Sequence, residues 1–357
     1  MSKIRVAVAM SGGVDSSTTA ALLVERGFDV VGLMMRMWSE EGDGLLPNKC
    51  CSPEAVADAR GVCQRLGIPF YLLNVEAEFK TRVVDFFTDG YVSGITPNPC
   101  LQCNQHVKFG TLLNKAHALD AEFLATGHYA RVMKNERGEF ELWKGVDPHK
   151  DQSYALHILS QEQLAHSMFP LGEFTKAQTR ELAKNFGLRV ASKEDSQDLC
   201  FIADGNYRNF IRRNRPAALA PGPILDAHGK QLGMHTGLPD YTIGQRKGLG
   251  IAAPEALYVT ALDAARNAVV VGTADELGKR ELIARSVNWI PPQPGGALPR
   301  RAQVKIRYRS PEHPATIRAL DETRVQIEFD LPLRDITPGQ AAVFYDGARC
   351  LGGGIIQ

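Results

Sequence analysis

Val6-Ala7-Val8-Ala9-Met10-Ser11-Gly12-Gly13-Val14-Asp15-Ser16 decides the fold of this chain. Residues 4–10 read as a strand buried on both faces, apolar without interruption from Val6 to Met10. Residues 17–26 follow with helical character and stop at Gly27. Between strand and helix lies a turn with two glycines, where a backbone can approach a ligand closely. The N–H groups at the start of the helix favour an anion, and Ser11 and Ser16 add hydroxyl donors. No Gly-Lys-Ser/Thr follows, so this is not a Walker A loop, and the glycines do not space as G-x-G-x-x-G.

Outward from that stretch, strand and helix alternate. Residues 30–35 read as a second strand. Ser52-Pro53 reads as a helix cap and first turn, ahead of Val56, Ala59, Val62, Cys63 and Leu66 at helical spacing. Residues 70–75 are a third strand, and 76–91 a helix with Phe79, Val83, Phe86 and Phe87 inward. Residues 106–119 are another helix and 123–126 a further strand. Such alternation predicts a doubly wound, mostly parallel α/β sheet, with ligands at the carboxyl ends of its strands. From about Gly205 short strands and tight turns take over. Residues 257–262 and 268–271 flank a hairpin turn; 301–309, 316–320 and 325–329 read as strands of a small antiparallel barrel or sandwich. Pro291-Pro292-Gln293-Pro294-Gly295-Gly296 interrupts the two β-rich parts. The expected division is therefore 1–205, 206–278 and 279–357, the last a β-barrel.

The length of 357 residues fits several domains. No stretch approaches 18 uncharged apolar residues, and the first apolar run is too short for a signal peptide, so a soluble cytoplasmic protein is expected. Seven cysteines fit a reducing compartment. The net charge of +1 hides an asymmetry: residues 1–205 hold 21 basic and 26 acidic side chains, residues 206–357 hold 20 and 14. The second part is thus the one suited to a polyanion. In residues 301–309, Lys305, Arg307 and Arg309 alternate with Val304, Ile306 and Tyr308, giving a basic face suited to phosphates. Arg208, Arg212, Arg213 and Arg215 read equally as a solvated helix face or a shelf for nucleic acid.

Cys100-Leu101-Gln102-Cys103-Asn104 follows Thr96-Pro97-Asn98-Pro99, a proline-fixed loop before a helix, a setting that stabilises a thiolate. Taken alone, C-x-x-C suggests a redox pair or half a metal site, and no second C-x-x-C completes a zinc ribbon. Cys200 lies far off, before Phe201-Ile202. Cys63 falls on an apolar helix face and Cys350 in a strand pattern, both read as structural; Cys50-Cys51 lies in a Gly/Pro-rich loop.

Ser-Gly-Gly-x-Asp-Ser resembles the PP-loop of ATP pyrophosphatases. With Thr-Pro-Asn-Pro-x-x-x-Cys-Asn, Ala-Thr-Gly-His-Tyr-Ala, Lys-Asp-Gln-Ser-Tyr and Cys-Phe-Ile in order, essentially the whole chain resembles the bacterial tRNA-specific 2-thiouridylases. The resemblance implies ATP-dependent 2-thiolation of the wobble uridine of tRNA, through an adenylated C2 oxygen and a cysteine persulfide. It implies ATP contacts at Ala9, Met10, Ser11, Gly12, Gly13, Val14, Asp15, Ser16, Met35 and Gly127, with Asp15 near Mg²⁺. Asn98, Pro99 and Cys100 would lie against the target uridine. Cys103 would be the nucleophile and Cys200 the persulfide carrier. His128, Lys150, Asp151, Gln152, Arg307, Tyr308 and Gln340 would contact tRNA. A cysteine desulfurase or sulfur-relay protein would supply the sulfur. Some members have Asp where Cys100 stands, which leaves Cys100 open as an inert residue, an assistant thiol, or an iron–sulfur ligand with Cys103 and Cys200. Two rival readings remain: an amidating or ligating PP-loop enzyme, which has no use for the second thiol, and an iron–sulfur RNA-binding protein, which leaves the PP-loop unexplained.

Overall fold

The structure, a computed structural model, describes residues 3–40, 52–194, 199–291 and 298–357. Its contacts divide into two compact units, and the division is not linear in sequence. The first takes residues 1–84, 100–205 and 347–351; the second takes 85–99, 206–346 and 352–357.

In the first unit, five strands make a sheet: β1 (Arg5–Met10), β2 (Asp29–Arg36), β3 (Phe70–Asn74), β4 (Phe123–Ala125) and, after the hairpin β5 (Ala130–Lys134) and β6 (Phe140–Lys144), β7 (Ser167–Met168). Their order is β3-β2-β1-β4-β7 and all four pairings are parallel. The apolar run predicted the centre of this sheet: Val6, Ala7 and Val8 are fully buried. The chain winds one way from β1 and the other way from β4, so the connections leaving their carboxyl ends part in opposite directions. That divergence opens the crevice in which doubly wound sheets bind ligands.

Helix α1 (Val14–Glu25) buries every residue from Ser16 to Leu23. Four successive hydroxyl residues are poor helix formers, yet here they cost little. Ser17 Oγ donates to Gly13 O at 2.8 Å, Thr18 Oγ1 to Val14 O at 2.8 Å and Thr19 Oγ1 to Asp15 O at 2.9 Å, so the buried hydroxyls are satisfied within the helix. Helix α2 (Pro53–Leu66) begins as its sequence predicts: Ser52 Oγ accepts from Ala55 N, Pro53 occupies the first turn, and Gly67 at φ 67° closes the helix. Cys63 packs inside, where burial pushes its thiol pKa up to about 11.

Two helical expectations are corrected. Residues 76–91 are not one regular helix; a wider π-wound stretch, Lys80–Asp85, interrupts it. The wider turn shifts the buried phase, so Val83, Val84 and Phe87 face inward and Phe86 is exposed. The helix expected over 106–119 begins at Pro99, whose fixed φ suits a first turn, and ends at His117. Its middle, Cys103–Leu112, is also π-wound.

In the second unit, β8 (Gly222–Leu225), β9 (Gln231–His235), β10 (Tyr258–Asp263) and β11 (Ala268–Gly272) form a sheet in the order β10-β11-β8-β9. It covers a small core of Ile224, Leu238, Val259, Val269 and Val271. The expected hairpin at 257–271 is the antiparallel pair β10–β11. Then β12 (Lys279–Trp289), β13 (Arg300–Lys305), β14 (His313–Ala319), β15 (Val325–Leu333), β16 (Ala341–Asp346) and β17 (Arg349–Ile356) follow. Their order β12-β15-β14-β13-β16-β17 closes through β12–β17 pairing into a six-stranded barrel. Closure removes the exposed edges that a sandwich would leave. The strand expected over 301–309 ends at Lys305, and residues 306–310 turn. Of the expected break at Pro291–Gly296, all but Pro291 lies outside the described residues, as do Cys50 and Cys51. No helix among the described residues is long and apolar enough to cross a membrane.

His157 is fully buried in the first unit, and burial lowers its pKa to about 4 despite the 2.7 Å contact of Nδ1 with Tyr154 O. The unfolded chain takes up this proton near pH 6.5, the native chain only near pH 4. Stability is therefore complete above pH 6.5 and falls as the pH drops toward 4, by on the order of 3 kcal/mol from this group. In urea unfolding at several pH values, His157→Asn should show a shallower decline than the parent across that window. Parallel curves would contradict it.

Candidate active site

The stretch Ser11–Ser16 lies where β1 ends, and Thr126-Gly127 where β4 ends. Gly12 has φ +70°, a left-handed backbone, and a Cβ there would stand 2.4 Å from Ala55 O on α2. Gly127 is required by proximity instead: a Cβ would fall 2.9 Å from Asp15 Cβ and 3.0 Å from Ser16 N. The loop after β4 thus lies on the first turn of α1 because Gly127 lacks a side chain, while Gly12 lets the turn lie against α2. Ser16 Oγ sits 3.1 Å from Ser11 Oγ and accepts from Ser11 N at 3.1 Å, tying the turn into a ring. Gly13, the residue before α1, has an extended backbone and no side-chain cap, and Gly13 N points to Ser11 Oγ at 3.4 Å. The result is a cradle of backbone N–H groups and hydroxyls at a helix start, suited to phosphate oxygens. Ala9 and Met10 end β1, Gly13 precedes α1 and Val14 opens it; Met35 is half-buried near the carboxyl end of neighbouring β2.

Asp15, in the first turn of α1, keeps company that no local motif announces. Lys176 Nζ reaches its two carboxylate oxygens at 2.7 and 2.9 Å, and Tyr129 Oη donates to Oδ1 at 2.8 Å. On another side of the loop, Lys193 Nζ donates to Gly12 O at 3.1 Å and pairs with Asp58 at 2.7 Å. Lys193 thus ties the carbonyl of Gly12 to Asp58 of α2 and fixes the turn. A separation of 161 residues, as between Asp15 and Lys176, leaves no local signal in the sequence.

His128 is buried beside Phe109 and Phe169, and its Nδ1 lies 2.7 Å from Thr126 Oγ1. Burial, assisted by the Lys108 charge, holds its pKa well below the usual imidazole value. It therefore offers a neutral hydrogen bond, not a cation, at neutral pH. Asp151 and Gln152 are committed internally. Asp151 accepts from Gly145 N, Ser153 N and Ser153 Oγ, while Gln152 exchanges bonds with both the N–H and the carbonyl of Tyr129. Lys150 beside them is half-exposed.

Cys103 is 8% exposed, at the start of the π-wound stretch, and not ahead of a helix as its sequence suggested. Asn104 beside it donates through Nδ2 to Ala155 O at 2.9 Å. Cys100, one turn earlier, is exposed. Cys200 is half-buried in a turn whose next residue, Phe201, is anchored edge-on against Phe79 at 5.9 Å. Among the described residues no three His, Cys, Asp or Glu side chains gather as a metal-binding group.

In the second unit, Gln340 Nε2 donates to Thr96 O at 2.9 Å, and Thr96 N donates to Pro338 O at 3.0 Å. Gly339, at φ +90°, permits this contact, since a Cβ would sit 2.9 Å from Thr96 O. A turn 244 residues away thus grips the segment leading into Asn98 and Pro99. Arg307 is corrected most. It does not lie on the basic face of a strand; its guanidinium donates to Asp335 O, Ile243 O and Thr337 Oγ1. Tyr308 next to it is exposed, with Lys305 Nζ 5.8 Å from its ring. The arginines of the helix Tyr207–Asn214 are similarly engaged: Arg208 donates to Asp240 O and Arg212 pairs with the Asp240 carboxylate, while Arg215 beyond it pairs with Asp85 and Asp89.

A doubly wound nucleotide-type sheet with a phosphate cradle at its switch point, followed by β-rich modules, defines the class. Residues 4–204 match the family profile described as the tRNA methyl transferase HUP domain. Residues 208–273 match its PRC-barrel domain, and 279–356 the aminomethyltransferase beta-barrel domain. Over 353 residues the chain is 53% identical to the tRNA-specific 2-thiouridylase MnmA of Magnetococcus marinus, covering 99% of this chain and 98% of that protein. It is 48% identical to the MnmA of Chloroflexus aggregans, covering 98% of each. With the MnmA of Geotalea uraniireducens it shares 50%, over 99% of this chain and 95% of the other. The chain belongs to the tRNA-specific 2-thiouridylase family.

The three bonds of Arg307 make it a clamp among segments of the second unit. Arg307→Ala should lower the urea midpoint, by about 1–3 kcal/mol of stability. Arg307→Lys should recover little, because one ammonium cannot span three acceptors set for a planar fork. A midpoint unchanged in Arg307→Ala would show the clamp to be idle.

Proposed function

We infer that this chain catalyses ATP-dependent 2-thiolation of uridine in tRNA, at the wobble position. The observation that carries the reading is the Ser11–Ser16 cradle at the β1/β4 divergence, in the same unit as Cys103 and Cys200. The profile's description speaks of methyl transfer, but moving a methyl group has no use for a triphosphate cradle and two cysteines together.

Uridine's C2 oxygen is a poor leaving group. Attack of that oxygen on the α-phosphorus of ATP forms an adenylate and releases pyrophosphate, so the oxygen later departs with AMP. The cradle would bind and orient the phosphates, with Gly12 and Gly127 allowing the close approach. Asp15 fits Mg²⁺, which is held by one or two carboxylates plus substrate phosphates. Its three donors leave about one of four lone-pair positions open. Mg²⁺ would neutralise phosphate charge there. Sulfur would arrive on Cys200 as a persulfide from a cysteine desulfurase or relay protein. Either its terminal sulfur attacks C2 and Cys103 resolves the persulfide, or Cys103 first frees hydrosulfide. Both routes leave 2-thiouridine, AMP and a Cys103–Cys200 disulfide. The half-buried setting of Cys200 supports a thiol that can both meet a donor and be sheltered.

On the RNA side, Asn98, Pro99 and exposed Cys100 would meet the target base, with Gln340 holding their segment. His128 and Lys150 would add contacts, and exposed Tyr308 offers a ring for stacking. Asp151, Gln152 and Arg307 would serve this surface by fixing its shape. The sequence divides by role as 1–205 for catalysis and 206–278 with 279–357 for RNA.

Cys103→Ser and Cys200→Ser should each reduce 2-thiouridine to background, whereas Cys63→Ser, in the core and protonated, should retain turnover. Gly12→Val should lose pyrophosphate release. The measurements are nucleoside analysis of tRNA after incubation with ATP and a persulfide source, and a pyrophosphate assay. Wild-type thiolation by Cys200→Ser would refute the persulfide role.

A further inference from the structure

The helix that carries Cys103 is held in its unusual winding from outside. From Cys103 to Leu112 the turns are π-wound, so a backbone N–H bonds the carbonyl five residues back and not four. Two side chains record that register. Thr111 Oγ1 donates to His106 O at 3.3 Å, five residues back, where a hydroxyl in an α-helix bonds three or four back. Gln163, in the short helix Gln161–Ala165, reaches the same stretch from another part of the fold. Its amide nitrogen donates to Gln105 O at 3.1 Å and to Phe109 O at 2.9 Å.

Those two bonds depend on the wide winding. Bonds of 3.1 and 2.9 Å that leave one amide nitrogen about 120° apart place their oxygens roughly 5 Å from each other. Four residues of α-helix separate two carbonyls by about 6 Å along the axis alone. A π turn takes more residues per circuit and rises less per residue, which brings Gln105 O and Phe109 O within reach of one nitrogen. The amide therefore fits the π winding and not the α winding. Behind it, Gln163 Oε1 accepts from Ser160 N at 3.0 Å and Ser160 Oγ accepts from Gln163 N at 3.1 Å, a reciprocal cap that fixes the clamp. Cys103 is the first residue of the clamped stretch, and Asn104 beside it is bonded to Ala155 O. We propose that Gln163 is a positioning residue for sulfur transfer, which rests on Cys103 being the nucleophile: the amide selects the π winding and so aims the Cys103 thiol. Relaxing the stretch to α would drop one residue from the register and turn Cys103 by about 100° against the helix that follows.

Gln163→Glu separates the clamp from the cap. Glutamate keeps an oxygen to accept from Ser160 N, but its carboxylate has no donor for Gln105 O or Phe109 O. In the full chain, supplied with ATP, tRNA and a persulfide source, kcat for 2-thiouridine formation should fall roughly 10- to 100-fold, the scale on which a misplaced reacting group loses rate. KM for tRNA and the affinity for ATP should stay close to wild type. Ser160→Ala removes the cap hydroxyl but leaves the Gln163 amide on its two carbonyls; it should cost stability and keep kcat close to wild type. Gln163→Met lacks the donors without adding a charge, and serves if the glutamate variant does not fold. The measurements are steady-state thiolation, ATP titration and urea unfolding of each variant beside Cys103→Ser. A wild-type kcat in folded Gln163→Glu or Gln163→Met, with Cys103→Ser inactive, would overturn the proposal. So would an equal loss of kcat in Ser160→Ala, because Gln163 would then act only through stability. Thiolation by Cys103→Ser would remove the role of Cys103 and the proposal with it, a failure that this variant alone tells apart.

Discussion

A Cβ at residue 127 would sit 2.9 Å from the Cβ of Asp15 and 3.0 Å from the backbone of Ser16, and much of the site depends on its absence. Without that side chain, the loop after β4 lies directly on the first turn of α1. Tyr129, two residues on, then reaches Asp15 with its hydroxyl, and Gln152 locks the backbone of Tyr129 from the other side. Asp147 fixes the backbone of Lys176, whose ammonium completes the set. A carboxylate, a phenol and an amine from three distant parts of the chain converge because two backbones can touch.

The helix start shows the same economy. Ser16, Ser17, Thr18 and Thr19 would favour non-helical conformations in isolation, since their hydroxyls compete for backbone groups. Packed under the sheet, they turn that competition inward and bond to carbonyls of their own helix. The first turn can therefore be polar where it meets a ligand and still be buried where it meets the core.

Much of this was legible in the chain. The apolar run before Ser11 named the central strand, and Ser52-Pro53 and Gly67 named both ends of α2, because such signals are local. The alternation of later strands pointed to a small barrel or sandwich, and the family resemblance agreed with the relatives found. What escaped were effects of distance and of winding. Phe86 is misplaced because π-winding changes the phase of a helix without marking the sequence, and the cysteine-bearing helix starts earlier than its pattern suggests, at Pro99. Arg307 read as part of a strand's basic face because alternation marks charge, not the end of the strand at Lys305 or the carbonyls of Asp335 and Ile243 that its guanidinium bonds. Lys176 and Lys193 carried no motif at all; only folding brings them to the loop.

The last strand carries one more implication. Residues 347–351 belong to the first unit, where Arg349 and Cys350 pair with Trp143 and Leu142 of β6, while residues 352–357 belong to the second. Cys350 and Leu351 are fully buried. During synthesis, the unit that holds the cradle is thus short of one strand until residues 347–351 are made. The hairpin β5–β6 waits with an unpaired edge from Lys144 until Arg349 and Cys350 arrive. The unit that holds the cradle is completed only by residues 347–351, so a cut made before Arg349 takes from it the strand that pairs with β6.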